Sequence, residues 1–288
     1  MNVYSLNEIK SENITRFSTG MIFLDRIFGT NGKELGEDGF QAGFAKGSLV
    51  MLAGEAGAGK SRLAIEIGAN INRRGGKILT FQLEVSPADY KSWTKDKVAN
   101  PDSFYVSSER DHRKQIEIIK ELKPHFVIVD SVNRYDVTYQ GVADLIDELQ
   151  ACARETGTIM LLIGQLDKKG NKMMVRGSQD WTFLPDVVAL VYRRFEDEKF
   201  FITKKMNELY ALAGKMDVKV TNTHKFAAQK IAKTDYANYM KSHEGVFRVG
   251  IPDKNRYGRT GGECSLRHTE SGVEVFRRDY SIEELMSL

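Results

Sequence analysis

Short apolar stretches alternate with longer amphipathic stretches along most of this chain. The apolar stretches have the length and content of strands buried on both faces, and they are residues 49–53, 77–83, 103–106, 125–130 and 158–164. The amphipathic stretches carry apolar residues at helical spacing, and they are residues 63–72, 110–122 and 141–155. This alternation predicts an α/β fold with a doubly wound, mostly parallel sheet and helices on both faces.

Composition adds few constraints to this pattern. The chain has 288 residues, of which 41% are apolar and 28% charged, as is ordinary for a globular protein with a large core. Cys152 and Cys264 lie far apart and form no CxxC pair, which argues against a disulfide framework and a zinc ribbon and favours the cytoplasm. No apolar run approaches the ~18 residues of a membrane span, so we expect no membrane partner. The net charge is only +3, so a nucleic-acid surface would require local clustering of basic residues.

The strongest chemical signal is a glycine-rich stretch between the first apolar strand and the helix that follows it. Its order of strand, glycine loop and helix is typical of a phosphate-binding loop. We expect Lys60 to reach the β- and γ-phosphates and Ser61 to bind Mg²⁺. The predicted nucleotide contacts are Gly54, Glu55, Ala56, Gly57, Ala58, Gly59, Lys60, Ser61 and Arg62. The alternative interpretation is a glycine-rich surface turn.

Three further polar residues follow predicted strands. Because ligands of open α/β sheets bind at the carboxyl ends of strands, Asp130 is a candidate Mg²⁺ ligand, although such residues often only cap helices. Glu84 is a candidate for activating the water that attacks the γ-phosphate. Its alternative interpretation is a solvated acid near the next helix. Gln165 is a candidate sensor of the γ-phosphate that would pass its presence to the next loop.

Several of these segments together resemble the RecA-type ATPase core. The resemblance rests on residues 16–25, Leu83-Glu84, residues 127–131 and residues 163–165. Residues 175–178 and 185–193 are similar to a segment of DnaB-type replicative helicases and of the RadA/Sms branch. Residues 254–258, Lys-Asn-Arg-Tyr-Gly, look like the K-N-R-F-G motif of RadA/Sms and the K-x-R element of DnaB-type helicases. The resemblance covers most of residues 14–278 and implies a RecA-like sheet with a C-terminal antiparallel extension.

The family assembles as rings or filaments with ATP and Mg²⁺ between subunits. The resemblance therefore implies a homo-oligomer, hexameric if it is a ring. It also implies that Lys254 and Arg256 reach the γ-phosphate of the neighbouring protomer, as an arginine finger does. The other interpretation of this motif is a basic turn, because Asn255 and Gly258 are common turn residues.

The resemblance further implies two loops that bind single-stranded DNA, residues 133–140 and 167–180. The second contains the basic residues expected to follow a phosphate backbone, Lys168, Lys169, Lys172 and Arg176. Tyr135 and Tyr139 in the first loop are candidates for stacking on bases or for packing at the rim of the sheet. A lysine-rich loop can also be merely solvated.

The predicted organisation is an N-terminal extension (1–15), a RecA-like core (16–203), a basic helical insertion (204–245) and a C-terminal part of the core (246–288). We expect residues 200–203 to close the core before the insertion. The insertion carries eight lysines against four acidic residues. It would enlarge a DNA surface, dock a protein partner, or have no function of its own. The prediction leaves no room for the zinc module and protease-like domain of RadA/Sms or for the collar domain of DnaB.

These features predict an ATP-dependent motor or remodelling ATPase that acts on single-stranded DNA in replication or recombination, like RadA or DnaB-type helicases and translocases. A strand-exchange recombinase that forms filaments is the nearer alternative. A KaiC-like signalling or scaffold ATPase that binds no nucleic acid is the more distant one.

Overall fold

The structure of the protein is a computed structural model that describes residues 14–30, 42–167, 175–193 and 198–276. The chain forms two compact units. We call Met1–Tyr192 together with Phe247–Leu288 the core unit, and Arg193–Val246 the hairpin unit. All but the last two residues of the expected N-terminal extension lie outside the described residues.

The core unit alternates strands and helices along the chain. Its strands are β1 (Arg16–Phe17), β2 (Phe44–Ala45), β3 (Leu49–Gly54), β4 (Ile78–Gln82), β5 (Phe104–Ser107), β6 (Phe126–Asp130), β7 (Ile159–Gln165), β8 (Val187–Tyr192), β9 (Val246–Ile251), β10 (Gly262–His268) and β11 (Val273–Val275). Its helices are α1 (Ile22–Phe28), α2 (Lys60–Arg73), α3 (Pro87–Thr94), α4 (His112–Leu122), α5 (Gly141–Thr156) and α6 (Asp180–Phe183). Two 3₁₀ turns, Pro101–Ser103 and Val132–Arg134, follow α3 and β6.

Within the described residues, nine strands form the main sheet in the order β11-β10-β9-β8-β3-β7-β6-β4-β5. The six strands from β8 to β5 are parallel to one another. Strand β9 is antiparallel to β8, and β10 is antiparallel to β11. The structure thus confirms the expected α/β fold, with a mostly parallel sheet and an antiparallel C-terminal extension.

The sheet is buried on both faces because its central strands are apolar up to their carboxyl ends, where β6 ends in Asp130 and β7 in Gln165. In β3, Val50 and Leu52 belong to one apolar cluster, whereas Met51 belongs to the cluster on the opposite face. Helix α2 packs into the first cluster, and helices α4 and α5 pack into the second. A strand of this kind needs no alternation of polar and apolar residues, which is why the sequence pattern identified it.

The hairpin unit consists of α7 (Glu198–Lys215) and α8 (Asn222–Ser242). Phe200 to Thr203, which we expected to close the core, lie instead at the start of α7. This expectation was wrong because tertiary contacts within the hairpin favour a helix. The ring of Phe201 packs 5.4 Å from the ring of Tyr236 and 5.2 Å from that of Tyr239, both on α8.

None of the helices in the described part of the chain combines the length and the hydropathy that a membrane span requires.

Candidate active site

The glycine-rich loop lies between the carboxyl end of β3 and the first residue of α2. Gly59 precedes α2 with a φ of 95°, in the left-handed region that favours glycine. A Cβ atom at this position would also lie 2.0 Å from Nε2 of His268. Only glycine fits both the backbone conformation and the space. The backbone N–H groups of the first turn of α2 therefore begin immediately after a tight turn, as anion binding requires.

Lys60 is held inside this loop. Its side chain is buried, and its ammonium group donates hydrogen bonds to the carbonyls of Gly54 and Glu55 at 2.9 and 2.8 Å. Burial lowers the pKa of Lys60, while the negative charges of Asp130, Glu84 and Glu55 raise it. These acidic neighbours favour a charged ammonium group at the loop, where it can bind phosphate oxygens.

Asp130 and Ser61 form the candidate magnesium site. Asp130 is the last residue of β6, is buried, and accepts a hydrogen bond from the side chain of Ser61. Burial raises the pKa of Asp130, and the charge of Glu84 raises it further, whereas the Ser61 hydrogen bond lowers it. A carboxylate and a hydroxyl are oxygen ligands of the kind that Mg²⁺ prefers.

These two ligands are too few to enclose a metal ion. The described residues contain no group of three or more His, Cys, Asp or Glu side chains that could hold one. Mg²⁺ held by Ser61 and Asp130 would therefore also need oxygen ligands from water and phosphate, as is usual for Mg²⁺ in nucleotide sites.

Glu84 lies two residues beyond the end of β4 and is exposed. Its carboxylate accepts a hydrogen bond of 2.5 Å from the hydroxyl of Ser131, and its backbone N–H donates to Oε1 of Gln82 at 3.2 Å. Ser131 was not predicted as a site residue. Its signal was a hydroxyl directly after Asp130 at the carboxyl end of a strand, where side chains from neighbouring strands meet.

A cavity of about 550 Å³ joins these groups. The glycine-rich loop, Glu84, Asp130 and Gln165 all contribute to its wall. Trp93 and Lys97 also line it and were missed from sequence, because nothing in their local pattern relates them to the loop. Lys97 forms an ion pair of 2.8 Å with Glu66 on α2. The structure therefore gathers residues from four separate strand ends around one cavity.

A second cavity of about 460 Å³ shares Glu84 and Gln165 with the first. Asn133, Arg134, Tyr139 and Arg176 are among its other lining residues. Because Glu84 and Gln165 line both cavities, a molecule bound in the second cavity would lie close to two residues of the first.

The predicted DNA-binding residues are only partly described. Lys168, Lys169 and Lys172 lie outside the described residues, whereas Arg176 is exposed and lines the second cavity.

Of the two tyrosines considered for base stacking, only Tyr139 is exposed, at 56%. Tyr135 is buried, donates a 2.6 Å hydrogen bond to Gln115, and stacks on Trp181 with ring centres 6.4 Å apart. Burial raises the pKa of Tyr135. Packing at the rim of the sheet is therefore the correct interpretation for Tyr135.

Lys254 and Arg256 lie at the opposite end of the sheet from the glycine-rich loop. Lys254 donates to the carbonyl of Phe183, and Arg256 donates to the Asp186 carboxylate at 2.5 Å. Asp186 is buried and accepts a hydrogen bond of 2.9 Å from the N–H of Leu49, the first residue of β3.

The loop begins at Gly54, the other end of this six-residue strand, about 17 Å away at the rise of a parallel strand. The structure does not bring these cations to the loop of their own chain.

Comparison with known proteins finds similarity to DNA repair proteins named RadA, and no family model matches the chain. The chain is 30% identical over 137 residues to RadA of Bacillus subtilis, an alignment that covers 45% of this chain and 30% of the relative. It is 27% identical over 188 residues to RadA of Mycolicibacterium smegmatis, covering 61% and 37%. It is 25% identical over 173 residues to RadA of Listeria monocytogenes, covering 57% and 35%.

The chain thus spans about a third of the length of these curated relatives. The identities are modest, and the alignments cover about half of this chain. Together with the mostly parallel nine-stranded sheet, this homology to RadA DNA repair proteins supports a RadA/RecA-like family for the chain.

Proposed function

We propose that this protein binds Mg²⁺-ATP in the 550 Å³ cavity and hydrolyses it. The observation that carries the proposal is that the glycine-rich loop, Asp130, Glu84 and Gln165 line one cavity. Backbone N–H groups at the start of α2 and the Lys60 ammonium hold the phosphates. Ser61 and Asp130 hold Mg²⁺, which neutralises developing charge on the phosphate oxygens when bound.

Glu84 orients the attacking water and accepts its proton. The Ser131 hydroxyl at 2.5 Å fixes one carboxylate oxygen and leaves the other free to accept from water. Gln165, on the wall shared by both cavities, contacts the γ-phosphate.

The test is phosphate release by the purified chain in the presence of Mg²⁺-ATP. Lys60→Ala should lower turnover at least about 100-fold, because it removes the positive charge that stabilises the transition state. Lys114→Ala, which removes an exposed lysine of α4 outside the cavity, is the matched control and should retain the wild-type rate. Equal turnover in Lys60→Ala and Lys114→Ala would refute the assignment.

Trp93 covers the nucleobase in this proposal. Its indole ring lines the cavity and is 49% exposed, so a flat aromatic face is available for stacking. The chain has two tryptophans, and the other, Trp181, is buried at 2% exposure. Mg²⁺-ATP should therefore change the tryptophan emission of the wild type but not that of Trp93→Phe. A change of the same size in Trp93→Phe would place the nucleobase elsewhere.

The partner of this ATPase is single-stranded DNA, on which it acts as a motor or remodelling enzyme in replication or recombination. Three observations support the proposal: the relatives are named DNA repair proteins, Arg134 and Arg176 line the second cavity, and Tyr139 is exposed beside them. Action on DNA and two free, buried cysteines are consistent with the cytoplasm.

Fluorescence anisotropy of a labelled single strand tests DNA binding. Phosphate contacts predict that affinity falls steeply between about 50 and 200 mM salt. Arg176→Ala should weaken binding and reduce the salt dependence, whereas Arg113→Ala, an exposed residue of α4, should not. If the strand does not bind, or if its affinity does not change with salt, single-stranded DNA is not the partner of this ATPase.

Lys254 and Arg256 act on the nucleotide of a neighbouring protomer in a ring or filament. Their position at the opposite end of β3 from their own loop supports this role, because a head-to-tail assembly brings opposite ends of two copies together. Arg256→Ala should retain nucleotide binding and lower turnover about 10³-fold, as loss of an arginine finger does.

Mixing two inactive variants tests the role directly. In a mixed ring of Lys60→Ala and Arg256→Ala, about a quarter of the interfaces combine an intact loop with an intact Arg256. Turnover should therefore recover on mixing. A mixture as inactive as its components, under conditions where mixed oligomers form, would show that Arg256 acts only within its own chain.

The hairpin unit docks a protein partner that presents an acidic amphipathic helix. A groove of about 270 Å³ near the turn between α7 and α8 is lined by apolar residues that include Leu212, Met216 and Ile231. Between residues 209 and 231, four lysines, Lys215, Lys219, Lys225 and Lys230, face one acid, Asp217. All five are exposed. An apolar groove on a helical hairpin with this excess of exposed lysines fits a helix with one apolar and one acidic face.

A fluorescent amphipathic peptide of about 15 residues with glutamates on its polar face is a suitable probe. It should bind the wild type more tightly than Ile231→Asp, and its lysine-substituted counterpart should not bind. Equal binding of both peptides would exclude charge complementarity, and concentration-dependent self-association lost in Ile231→Asp would identify a second copy as the occupant.

A further inference from the structure

We propose that Asn133 is a positioning residue that couples the second cavity to Glu84, so that a DNA strand in that cavity accelerates hydrolysis. This inference rests on the proposed function and concerns its regulation. Asn133 lies in the 3₁₀ turn Val132–Arg134, and its side chain faces the second cavity.

The amide group of Asn133 joins two backbone segments. Its Oδ1 accepts a hydrogen bond of 3.0 Å from the N–H of Gln165, and its Nδ2 donates one of 2.9 Å to the carbonyl of Arg176. Gln165 and Arg176 are themselves paired, because the N–H of Arg176 donates to the carbonyl of Gln165 at 2.7 Å. We call residues 165–166 and 175–176 the stem. One side chain thus fixes both strands of the stem.

The same turn also holds Glu84. Ser131, two residues before Asn133, donates its hydroxyl to the Glu84 carboxylate at 2.5 Å. The turn is closed by a hydrogen bond of 3.1 Å from the N–H of Arg134 to the carbonyl of Ser131, and Val132 is buried at 2% exposure. A short turn anchored in this way moves as one piece. A shift of Asn133 therefore shifts the hydroxyl that orients Glu84.

These contacts form a continuous path from the stem to the candidate base. The carbonyl of Arg176 accepts from Asn133, and Arg176 lines the second cavity, so a phosphate backbone bound there would displace the stem. The displacement would reach Ser131 through the hydrogen bonds of the Asn133 amide, and it would then move the carboxylate of Glu84. Because Glu84 is exposed, few other contacts oppose its reorientation. Such a path requires that the stem takes one arrangement with DNA and another without it.

Asn133→Ala separates this role from catalysis. The variant keeps Glu84, Ser131 and the whole glycine-rich loop, so the readout is the ratio of turnover with DNA to turnover without DNA, compared between the variant and the wild type. Stimulation by single-stranded DNA should fall at least about tenfold, while anisotropy shows that the strand still binds. Asn133→Asp keeps the acceptor for the N–H of Gln165 but loses the donor to Arg176, and it should show an intermediate loss of stimulation. A merely structural role would lower both rates by the same factor.

The outcomes distinguish this inference from the proposed function. Wild-type stimulation in both variants would overturn the coupling role and leave the DNA-stimulated ATPase intact. An equal loss of basal and stimulated turnover in both variants would also overturn it. A wild-type protein without stimulation by DNA would overturn both proposals together. If Asn133→Ala does not fold, the nearly isosteric Asn133→Asp provides the same comparison.

Discussion

The core unit and the hairpin unit bury their residues very differently. In β3, β6 and β7 every residue but Gln165 is buried. Helix α7 contains 18 residues and helix α8 contains 21, and of these only Phe201, Ala228 and Ala232 are buried. The core unit is therefore held by apolar packing on both faces of a sheet, whereas the hairpin is held by a narrow line of contacts and exposes much of its apolar surface.

This difference corresponds to a division of tasks. Asp130 and Gln165 are the last residues of β6 and β7, so each is fixed by a rigid strand, whereas Glu84 lies two residues beyond β4 and is oriented by the Ser131 hydroxyl. Phosphoryl transfer depends mainly on such positioning. The exposed groove of the hairpin suits a surface that becomes ordered when a partner covers it.

The largest expected difference between variants of the two units is in the rate of ATP hydrolysis. Glu84→Gln removes the base but keeps a side chain of nearly the same shape, so turnover should fall about 10²-fold or more while nucleotide binding persists. Phe226→Ala in the hairpin, at 74% exposure, should change turnover less than about twofold. Phosphate release under saturating Mg²⁺-ATP measures both. Similar losses in the two variants would mean that chemistry is not confined to the core unit.

The next effect concerns stability. Leu161→Ala in β7 leaves a cavity at a fully buried position and should lower the free energy of unfolding by about 2–5 kcal/mol. Ile231→Ala in α8, at 48% exposure, should cost less than about 0.5 kcal/mol. Urea unfolding followed by circular dichroism checks the pair. A larger cost for Ile231→Ala would contradict the weak packing inferred for the hairpin.

The smallest effect concerns helix caps. Asp111 caps α4 by accepting a hydrogen bond of 2.9 Å from the N–H of Arg113, and Thr221 caps α8 by accepting one of 3.3 Å from the N–H of His224. Asp111→Ala should lower the urea midpoint of the core unit, because the N–H of Arg113 at the start of α4 loses its acceptor. Thr221→Ala should only increase hydrogen exchange at the start of α8. Global destabilisation by Thr221→Ala would show that the two units unfold together.

The fold is predictable from the sequence where local pattern and tertiary environment agree. The continuously apolar strands and the glycine-rich loop were found because their signals lie within a few neighbouring residues. Residues 200–203 are also apolar and strand-like in isolation, but Phe201 packs on Tyr236 and Tyr239, residues more than thirty positions away. Contacts of this range override local preference.

The candidate site was predicted only in part, for the same reason. Glu84, Asp130 and Gln165 follow strands, so their meeting could be inferred from the parallel sheet. The contacts of Ser131, Asn133 and Trp93 depend on the path of loops and on one helix, which periodicity does not determine. Tyr135 illustrates why part of the site could not be predicted. An aromatic residue after a strand has the same local sequence whether it stacks on a base or on a neighbour, and Tyr135 stacks on Trp181.

The most direct test of the central claim is the rate of ATP hydrolysis by the full chain, with and without single-stranded DNA, in the wild type and in Glu84→Gln. We expect DNA to raise the wild-type rate, the increase to disappear between about 50 and 200 mM salt, and Glu84→Gln to be slow under every condition. A wild-type rate that is unchanged by DNA, or a Glu84→Gln rate equal to that of the wild type, would contradict the account.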